Sequence, residues 1–327
     1  MKAWQVTQHG EPEEVLQLAD ITQPEPGPGQ VLVRVLAAAA NFPDVLLCRG
    51  TYQLKVPMPF TLGVELCGEV VAAGPGVTGV AVGDRVIGDT ALPHGAFAEY
   101  ALMDASAALP APRALDDAEA APFYITYETC WVGLHRRARL REGETLLVHA
   151  AAGGVGTGAI QVGKAAGARV IGVVGGPEKA ALAKEVGADV VIDRSAEDFV
   201  TVVKEVTGGK GADVVFDPVG GEAFYKSTKC IAFEGRILVV GFASGDVPSA
   251  ALNHALVKNY DILGLQARTY RFLENQATRD HYDALLKLTE TGAIRTAVTE
   301  RLSLDDVPDG LRRLGAGLTT GRIVFMP

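Results

Sequence analysis

The stretch TLLVHAAAGGVGTGAIQ, residues 145–161, constrains the fold more than any other part of the chain. An apolar run that suits a short strand leads directly into a glycine-rich turn, and the turn opens into a helical pattern. A turn of this kind presents free N–H groups at a helix N-terminus, where they bind phosphate. The sequence therefore predicts a dinucleotide-binding turn near the middle of the chain.

The glycines of this turn fit the dinucleotide pattern in two registers. One register is Gly154-x-Gly156-x-x-Ala159, and the other is Ala151-x-Gly153-x-x-Gly156. In the second register alanine replaces the first glycine of the pattern. This register nevertheless begins where the strand ends, so the spacing from the strand favours it. In that register Gly153 lets the backbone approach a pyrophosphate, and Gly156 lets the helix pack against the strand.

The pattern of the chain changes on either side of the turn. Residues 1–124 hold short strands punctuated by Gly-Pro and Gly-Asp turns, which predicts a small, β-rich, antiparallel unit. Residues 125–265 alternate helical segments with six apolar runs, namely TLLVHA, RVIGVV, DVVID, DVVFDPV, RILVVGF and DILGL. Such runs predict an α/β, doubly wound parallel sheet. Residues 266–327 are too few for a domain, so we expect them to return to the first unit, which is then split around the second.

The net charge of −9 argues against nucleic-acid binding, because a polyanion would be repelled. One basic cluster comprises Arg136, Arg137, Arg139 and Arg141. It stands where a helix is expected to end, and the helix dipole favours cations there. A contact with a partner is the alternative interpretation.

Cysteine usage and the N-terminus indicate a reducing, cytoplasmic location. The four cysteines are isolated and form no CxxC pair. The first residues, MKAWQV, suit a strand rather than a signal peptide. The longest uncharged stretch, residues 145–163, contains five glycines and the strand-turn-helix pattern, so we predict no membrane span.

The residues after the second strand of the sheet favour NADPH over NADH. That strand ends in GGP, residues 175–177, and lacks the acid that usually holds the ribose hydroxyls of NAD. Lys179 and Arg194 supply positive charge for a 2′-phosphate, because they follow neighbouring strands. Glu178 and Asp193 lie close by and weigh against this interpretation.

The residues that a metal or a nucleophile would need are missing. A catalytic zinc takes three protein ligands, yet Asn41 and Val64 occupy places that would suit a thiolate and an imidazole. The six histidines show no ligand spacing, and no GxSxG elbow is present. Hydride transfer to an acceptor that is already electron-poor, a quinone or a conjugated enone, is the reaction that remains.

Several motifs together carry a resemblance that runs nearly end to end: NFPDVLLCRGTYQLKVPMPFTLGVELCGEV, GAFAEY, AAGGVG, GARVIGVVGGPEKAALAKEVGADVVID, DVVFDPVGG and GRILVVGFASGDVP. They resemble the zinc-lacking NADPH:quinone oxidoreductase branch, related to ζ-crystallin, of the medium-chain dehydrogenase/reductase superfamily. The resemblance implies a GroES-like catalytic domain split around a Rossmann domain, NADPH as cofactor, and a small-molecule quinone or enone acceptor. It also implies a homodimer or homotetramer, with dimers pairing Rossmann edge strands near residues 259–266.

The same resemblance assigns site residues. Asn41, Tyr52 and Thr126 are the expected catalytic residues, with Tyr52 orienting a carbonyl or supplying a proton; a packed aromatic is the alternative. The residues expected to bind the cofactor are Asn41, Leu46, Thr129, Ala152, Gly153, Gly154, Val155, Gly156, Gly176, Lys179, Arg194, Gly241, Phe242, Ala243, Leu263 and Leu265.

Two departures from the family pattern bear on which acceptor fits. Many relatives carry a tyrosine near Arg194, and Glu128 stands where smaller or neutral residues are commoner, beside Cys130 and Trp131.

Two other functions stay open. An enoyl-thioester reductase is disfavoured because residues 1–124 hold 6 Lys/Arg against 15 Asp/Glu. A non-catalytic NADPH-binding protein is the other.

Overall fold

The structure, a computed structural model, describes residues 1–273 and 275–327, and side chains at 1–270 and 278–327. The chain separates into two compact units. Unit 1 comprises Met1–Ile125 and Arg295–Pro327, and unit 2 comprises Thr126–Ile294. Unit 1 is thus built from both ends of the chain.

The chain returns to unit 1 at Arg295, so the predicted return at residue 266 is too early. Residues 278–290 form part of a helix that packs within unit 2. Tyr282 and Leu285 are buried there, and His281 contacts Glu128. The amino-acid sequence of this helix carries no information about which unit its buried face packs against.

Unit 1 begins with short strands and helices. Their bounds are β1 Lys2–Val6, α1 Pro12–Val15, β2 Leu16–Asp20, β3 Gln30–Ala39, α2 Phe42–Cys48, β4 Phe60–Thr61, β5 Glu65–Ala73, β6 Arg85–Asp89, β7 Tyr100–Asp104, β8 Leu109–Pro110, α3 Asp117–Ala120 and α4 Phe123–Trp131, the last of which continues into unit 2.

Unit 2 alternates strands and helices after a π-helical turn at Val132–Arg137. The bounds are β9 Thr145–Val148, α5 Gly154–Ala165, β10 Arg169–Val174, α6 Pro177–Glu185, β11 Val190–Asp193, α7 Phe199–Val206, β12 Ala212–Asp217, α8 Gly221–Cys230, β13 Ile231–Val239, α9 Leu252–Lys258, β14 Asp261–Gly264, α10 Ala267–Leu273 and α11 Asn275–Glu290. The rest of unit 1 holds β15 Val298–Ser303, a 3-10 turn Leu304–Asp306, α12 Val307–Gly315 and β16 Arg322–Met326.

The main sheet of unit 1 has the order β15-β16-β3-β5-β6-β8, with β7 also paired to β3. Its pairs are antiparallel except for β15 with β16. The strand β16 therefore joins the C-terminal segment to β3. A smaller sheet, β2-β1-β4, packs on the same core, in which Phe97 and Phe325 meet edge to face at 5.2 Å.

The sheet of unit 2 has the order β11-β10-β9-β12-β13-β14, and neighbouring strands run parallel. This is the doubly wound order, with the direction of winding reversing between β9 and β12. The strands β9 and β12 are buried throughout, as their apolar sequences require. The predicted α/β fold class is confirmed. Within the described parts of the chain, no helix has both the length and the apolar character that crossing a bilayer requires.

Candidate functional site

The glycine turn joins β9 to α5 in unit 2. Ala150 takes a left-handed conformation, φ 46°, and Gly153 caps the N-terminus of α5. A Cβ atom on Gly156 would lie 2.1 Å from the carbonyl oxygen of Ala150, so only glycine allows this approach of helix to turn. This contact matches the register that begins at Ala151.

The predicted cofactor residues of unit 2 follow the strands of the parallel sheet at its carboxyl edge. Ala152, Gly153, Gly154, Val155 and Gly156 follow β9; Gly176 and Lys179 follow β10; Arg194 follows β11; Gly241, Phe242 and Ala243 follow β13; Leu263 and Leu265 lie at the end of β14. In doubly wound sheets, ligands bind at this edge near the switch point. The topology therefore collects these residues on the edge where a dinucleotide binds.

The loop after β10 is held by a carboxylate whose role the sequence did not reveal. Oδ1 of Asp193 accepts hydrogen bonds from the Gly176 N–H at 2.8 Å and from both the N–H and the hydroxyl of Ser195. The Ser195 hydroxyl and these N–H groups hold the pKa of Asp193 below its usual range. The Asp193 carboxylate thus stabilises the loop.

Arg194 lies beside the paired glycines at the tip of β10. Its Nε and Nη2 atoms are 3.5 Å from the position that a Cβ on Gly175 would occupy. The side chain is exposed, and Gly176 takes φ 95°, a conformation that glycine adopts readily. A guanidinium in this place can pair with a phosphate ester.

A buried cluster of charged and polar groups surrounds Asn41 in unit 1. Asn41 caps α2, and its Nδ2 donates to Oε2 of Glu65 at 3.0 Å and to the carbonyl of Ala39 at 3.3 Å. Arg322 donates to Oδ1 of Asn41 at 2.8 Å and lies 3.3 Å from Glu65. Both amide hydrogens of Asn41 are therefore engaged inside unit 1, and its predicted roles in catalysis and in cofactor binding stay predictions.

Asp44 completes this cluster and closes a capping box. Its carboxylate accepts from the N–H groups of Asn41 at 2.9 Å and Val64 at 3.1 Å, while Glu65 accepts from the N–H of Ile125 at 2.6 Å. Burial raises the pKa of Asp44 to about 7, and burial likewise raises that of Glu65 to about 7 against the attraction of Arg322. The cluster thus has two carboxyl groups that titrate near neutrality beside one guanidinium.

Asp44, Glu65 and Arg322 were not among the residues predicted from the sequence. The motif NFPD already contains the capping-box spacing of Asn41 and Asp44, so Asp44 was within reach. The contacts of Arg322 join residues 257 and 281 positions apart, and no local pattern signals them.

Leu46 and Tyr52 lie at the C-terminal end of α2 in unit 1, and both are half-buried. The carbonyl of Leu46 accepts the N–H of Tyr52 at 3.3 Å, which folds the loop back over the helix. Tyr52 lines a small pocket together with His9, Lys55 and Phe60. Its predicted contact with an acceptor carbonyl stays a prediction.

Thr126 and Thr129 lie on α4, in unit 2. Thr126 is buried, and its methyl group is 2.8 Å from where a Cβ on Gly158 of α5 would stand, while Thr129 is half-buried. The Thr126 hydroxyl has no hydrogen-bond partner. Among the residues whose placement is described, no three His, Cys, Asp or Glu side chains are arranged to hold a metal ion.

Comparisons with known proteins match both units. Residues 27–113 match the family described as "Alcohol dehydrogenase GroES-like domain", and residues 154–288 match the family described as "Zinc-binding dehydrogenase". A "Quinone oxidoreductase-like protein 2 homolog" of Nematostella vectensis is 37% identical over 301 residues, which cover 91% of this chain and 82% of that protein. The chain belongs to the quinone oxidoreductase family of medium-chain dehydrogenase/reductases.

Solved structures of quinone oxidoreductases share the fold along the whole chain. The Escherichia coli quinone oxidoreductase, solved in complex with NADPH, is 31% identical with a TM-score of 0.93, and each chain is covered completely. The Pseudomonas syringae pv. tomato quinone oxidoreductase is 34% identical with a TM-score of 0.92, over 100% of this chain and 99% of that one. The predicted resemblance to the zinc-lacking quinone oxidoreductases is thereby confirmed.

Proposed function

We propose that this chain is an NADPH-dependent reductase that delivers a hydride to a quinone or to an α,β-unsaturated carbonyl compound. The observation that carries the cofactor assignment is the guanidinium of Arg194 beside Gly175, next to an Asp193 carboxylate engaged by its own loop. The Asp193 carboxylate accepts hydrogen bonds from its own loop and stays charged, so the adjacent Arg194 guanidinium is the group that offsets its repulsion of a 2′-phosphate. The Escherichia coli relative in complex with NADPH supports the same cofactor.

Different residues of the chain bind the cofactor and orient the acceptor. The N–H groups in the first turn of α5, at Gly154, Val155 and Gly156, bind the pyrophosphate, whereas the Gly153 N–H donates to the carbonyl of Ala150. Arg194 and Lys179 bind the 2′-phosphate. The bound cofactor supplies the hydride, and Tyr52 orients the acceptor carbonyl through its hydroxyl group.

The direct test mixes the protein with NADPH and a panel of acceptors and follows the cofactor absorbance. The panel holds an ortho-quinone, para-benzoquinone, methyl vinyl ketone and an enoyl-CoA. Oxidation with the quinones or the enone supports the proposal, and oxidation with the enoyl-CoA alone would assign the chain to the thioester reductases. Tight NADPH binding with no oxidation by any acceptor would instead favour a non-catalytic protein.

Substituting Arg194→Ala should weaken NADPH binding by about 10-fold to 10²-fold, since one charge-assisted contact to the phosphate is lost. NADH binding should stay unchanged, because NADH lacks that phosphate. Fluorescence titration with both cofactors measures the two dissociation constants. Arg113→Ala, which removes an exposed arginine in unit 1, is the matched control and should alter neither. An equal loss for both cofactors would contradict the assignment of Arg194.

We further propose a homodimer that forms through β14 and α9 of unit 2. The strand β14 lies at the edge of the six-stranded sheet, and its Ile262 is partly exposed. The adjacent helix α9 exposes Leu252, Leu256 and Val257, each by 76–78%. An unpaired strand edge beside an apolar surface is a place where a second copy can pair.

Leu256→Glu should therefore convert the dimer to a monomer, because it places a charge in the apolar surface beside β14. Light scattering coupled to size exclusion measures the mass. Leu318→Glu introduces the same charge at an exposed leucine of unit 1 and should leave the mass unchanged. A dimeric Leu256→Glu variant, or a monomeric wild type, would refute this interface.

A further inference from the structure

Cys130 lies where α4 packs against the start of α5, and the proposed function gives it no role. A Cβ atom on Gly158 of α5 would lie 3.1 Å from the Cys130 sulfur and 2.8 Å from the Thr126 methyl group. The two helices therefore meet at a glycine, and the Cys130 side chain is fully buried. A side chain enclosed in this way is held in one direction, so its polar contact is a fixed part of the structure.

The Cys130 thiol donates a hydrogen bond to the first turn of α5. Its Sγ atom lies 3.3 Å from the carbonyl oxygen of Val155. A carbonyl oxygen can only accept, so the thiol is the donor. Burial raises the pKa of the Cys130 thiol, which keeps the proton on the sulfur. Thiols are weak donors, but this one is buried and water does not compete with it.

A second side chain donates to the same turn. The buried hydroxyl group of Thr157 donates to the carbonyl of Gly154 at 2.9 Å. Two successive carbonyl groups at the start of α5 therefore each accept a hydrogen bond from a side chain. A carbonyl oxygen has two lone pairs, so these bonds add to those of the helix backbone.

The other ends of the same two peptide groups are N–H groups assigned to the pyrophosphate. The carbonyl of Gly154 shares its peptide group with the N–H of Val155, and the carbonyl of Val155 shares its peptide group with the N–H of Gly156. Gly153, which caps α5, has no side chain that could accept from these N–H groups. A peptide group that accepts a hydrogen bond at its oxygen is polarised, which strengthens the bond that its N–H donates by about 10–30%.

We propose that Cys130 and Thr157 are positioning residues that strengthen two of the N–H groups to which the pyrophosphate of NADPH binds. Cys130 acts through the carbonyl of Val155 on the N–H of Gly156. Thr157 acts in the same way on the N–H of Val155. This inference rests on the proposed function, because it takes the glycine turn as the place where the pyrophosphate binds. The two side chains also hold the peptide groups in place before the cofactor arrives, so binding requires less reorganisation.

The test measures two dissociation constants by calorimetric titration. One ligand is NADPH, and the other is adenosine 2′-monophosphate, which keeps the 2′-phosphate but lacks the pyrophosphate. Cys130→Ala should weaken NADPH binding about 2-fold to 4-fold, because a hydrogen bond to an anion loses part of its strength. Thr157→Val, which replaces the hydroxyl with a methyl group, should have a similar effect. The affinity for adenosine 2′-monophosphate should stay unchanged in both variants.

Two further variants separate polarisation from packing. Cys130→Ser keeps a donor for the carbonyl of Val155 and should recover part of the lost affinity. Cys230→Ala removes a buried thiol of α8 that contacts carbonyls of its own helix, and this control should bind both ligands as wild type does. In the cofactor-free protein, the backbone amide NMR signal of Gly156 should shift in Cys130→Ala and move back toward its wild-type position in Cys130→Ser.

Two outcomes would overturn the role of these side chains. One is an unchanged NADPH affinity in both Cys130→Ala and Thr157→Val; if Cys130→Ala fails to fold, an unchanged affinity in Thr157→Val is sufficient. The other is an equal loss for NADPH and adenosine 2′-monophosphate, which would indicate a general loosening of unit 2. A wild type that binds NADPH but reduces no acceptor would contradict the proposed function alone, because these measurements depend only on binding.

Discussion

Replacing Arg322 with alanine should lower the free energy of unfolding of unit 1 by about 3–5 kcal/mol. Arg322 is the guanidinium that faces the buried carboxyl group of Glu65 and also donates to Asn41. Its removal leaves that carboxyl group, and Asp44 beside it, buried without a countercharge. The loss is large because the desolvation penalty of the carboxylates persists while the attraction that offsets it is gone.

Denaturant titration measures this effect with a probe specific for unit 1. The indole N–H of Trp4 donates to the carbonyl of Leu304 at 2.7 Å, so its fluorescence reports on that unit. The second tryptophan, Trp131, belongs to unit 2 and is replaced by phenylalanine in the background. Arg301→Ala is the control, since Arg301 pairs with Asp116 at the surface, and its loss should cost less than about 1 kcal/mol. Equal losses for Arg322→Ala and Arg301→Ala would contradict the prediction.

The stability lost in the Arg322→Ala variant should be larger at high pH than at low pH. Folding raises the pKa of Glu65 and Asp44 from 4.5 and 3.8 to about 7, so the folded state binds protons more tightly than the unfolded state. The stability that these groups contribute is present in full below their unfolded pKa values and decreases as the pH rises through about 7. Without Arg322 the folded pKa values rise further, so the variant should lose more at pH 8 than at pH 5. A loss that is independent of pH would show that the carboxyl groups are not its cause.

Gly156→Ala should disrupt the cofactor turn itself. The added Cβ would stand 2.1 Å from the carbonyl oxygen of Ala150 and 2.9 Å from Cα of Ala151, and these backbone atoms cannot rotate away. The turn or the start of α5 must shift by a large fraction of an ångström, which should weaken NADPH binding by about 10²-fold. Overpacking should also cost unit 2 about 1–3 kcal/mol of stability.

Gly153→Ala provides the matched comparison within the same turn. Gly153 has an ordinary φ of −88°, and its Cβ would stand 3.3 Å from the carbonyl of Ala150, so the fold should tolerate it. NADPH binding should weaken nonetheless, because the methyl group occupies the backbone's approach to the pyrophosphate. Binding titrations and thermal unfolding of both variants distinguish the two roles. A stable Gly156→Ala variant with unchanged affinity would refute the packing argument.

The sequence predicted best those features that depend on neighbouring residues. The turn between β9 and α5 could be predicted because its apolar strand, glycine spacing and helix lie within 21 residues. The order of the parallel strands followed from their alternation with helices. The residue at which the chain returns to unit 1 could not be predicted. The apolar periodicity of α11 shows which face of the helix is buried, but it does not show which unit that face packs against.

In the candidate site, too, features that depend on neighbouring residues could be predicted, and features that depend on distant residues could not. The position of loop residues such as Gly176 and Arg194 at the carboxyl edge of the sheet could be predicted, because they follow strands of a known topology, and their contact with the cofactor stays a prediction. The hydrogen bonds of Asp193 could not be predicted, because the sequence around an acid at a strand end is the same whether its side chain contacts a loop or a ligand. The pairing of Glu65 with Arg322 could not be predicted, because it depends on β16 pairing with β3, and the whole sequence of unit 2 lies between these two strands.

The split construction of unit 1 has a consequence for synthesis on the ribosome. Unit 2 is one continuous stretch and can fold as soon as it emerges, whereas β3 must wait for β16. Until then the nascent chain holds Glu65 on an unfinished sheet and Asp44 on the adjoining helix α2, while Arg322, which faces Glu65, has not yet been translated. We therefore expect unit 1 to complete its fold later than unit 2 during translation.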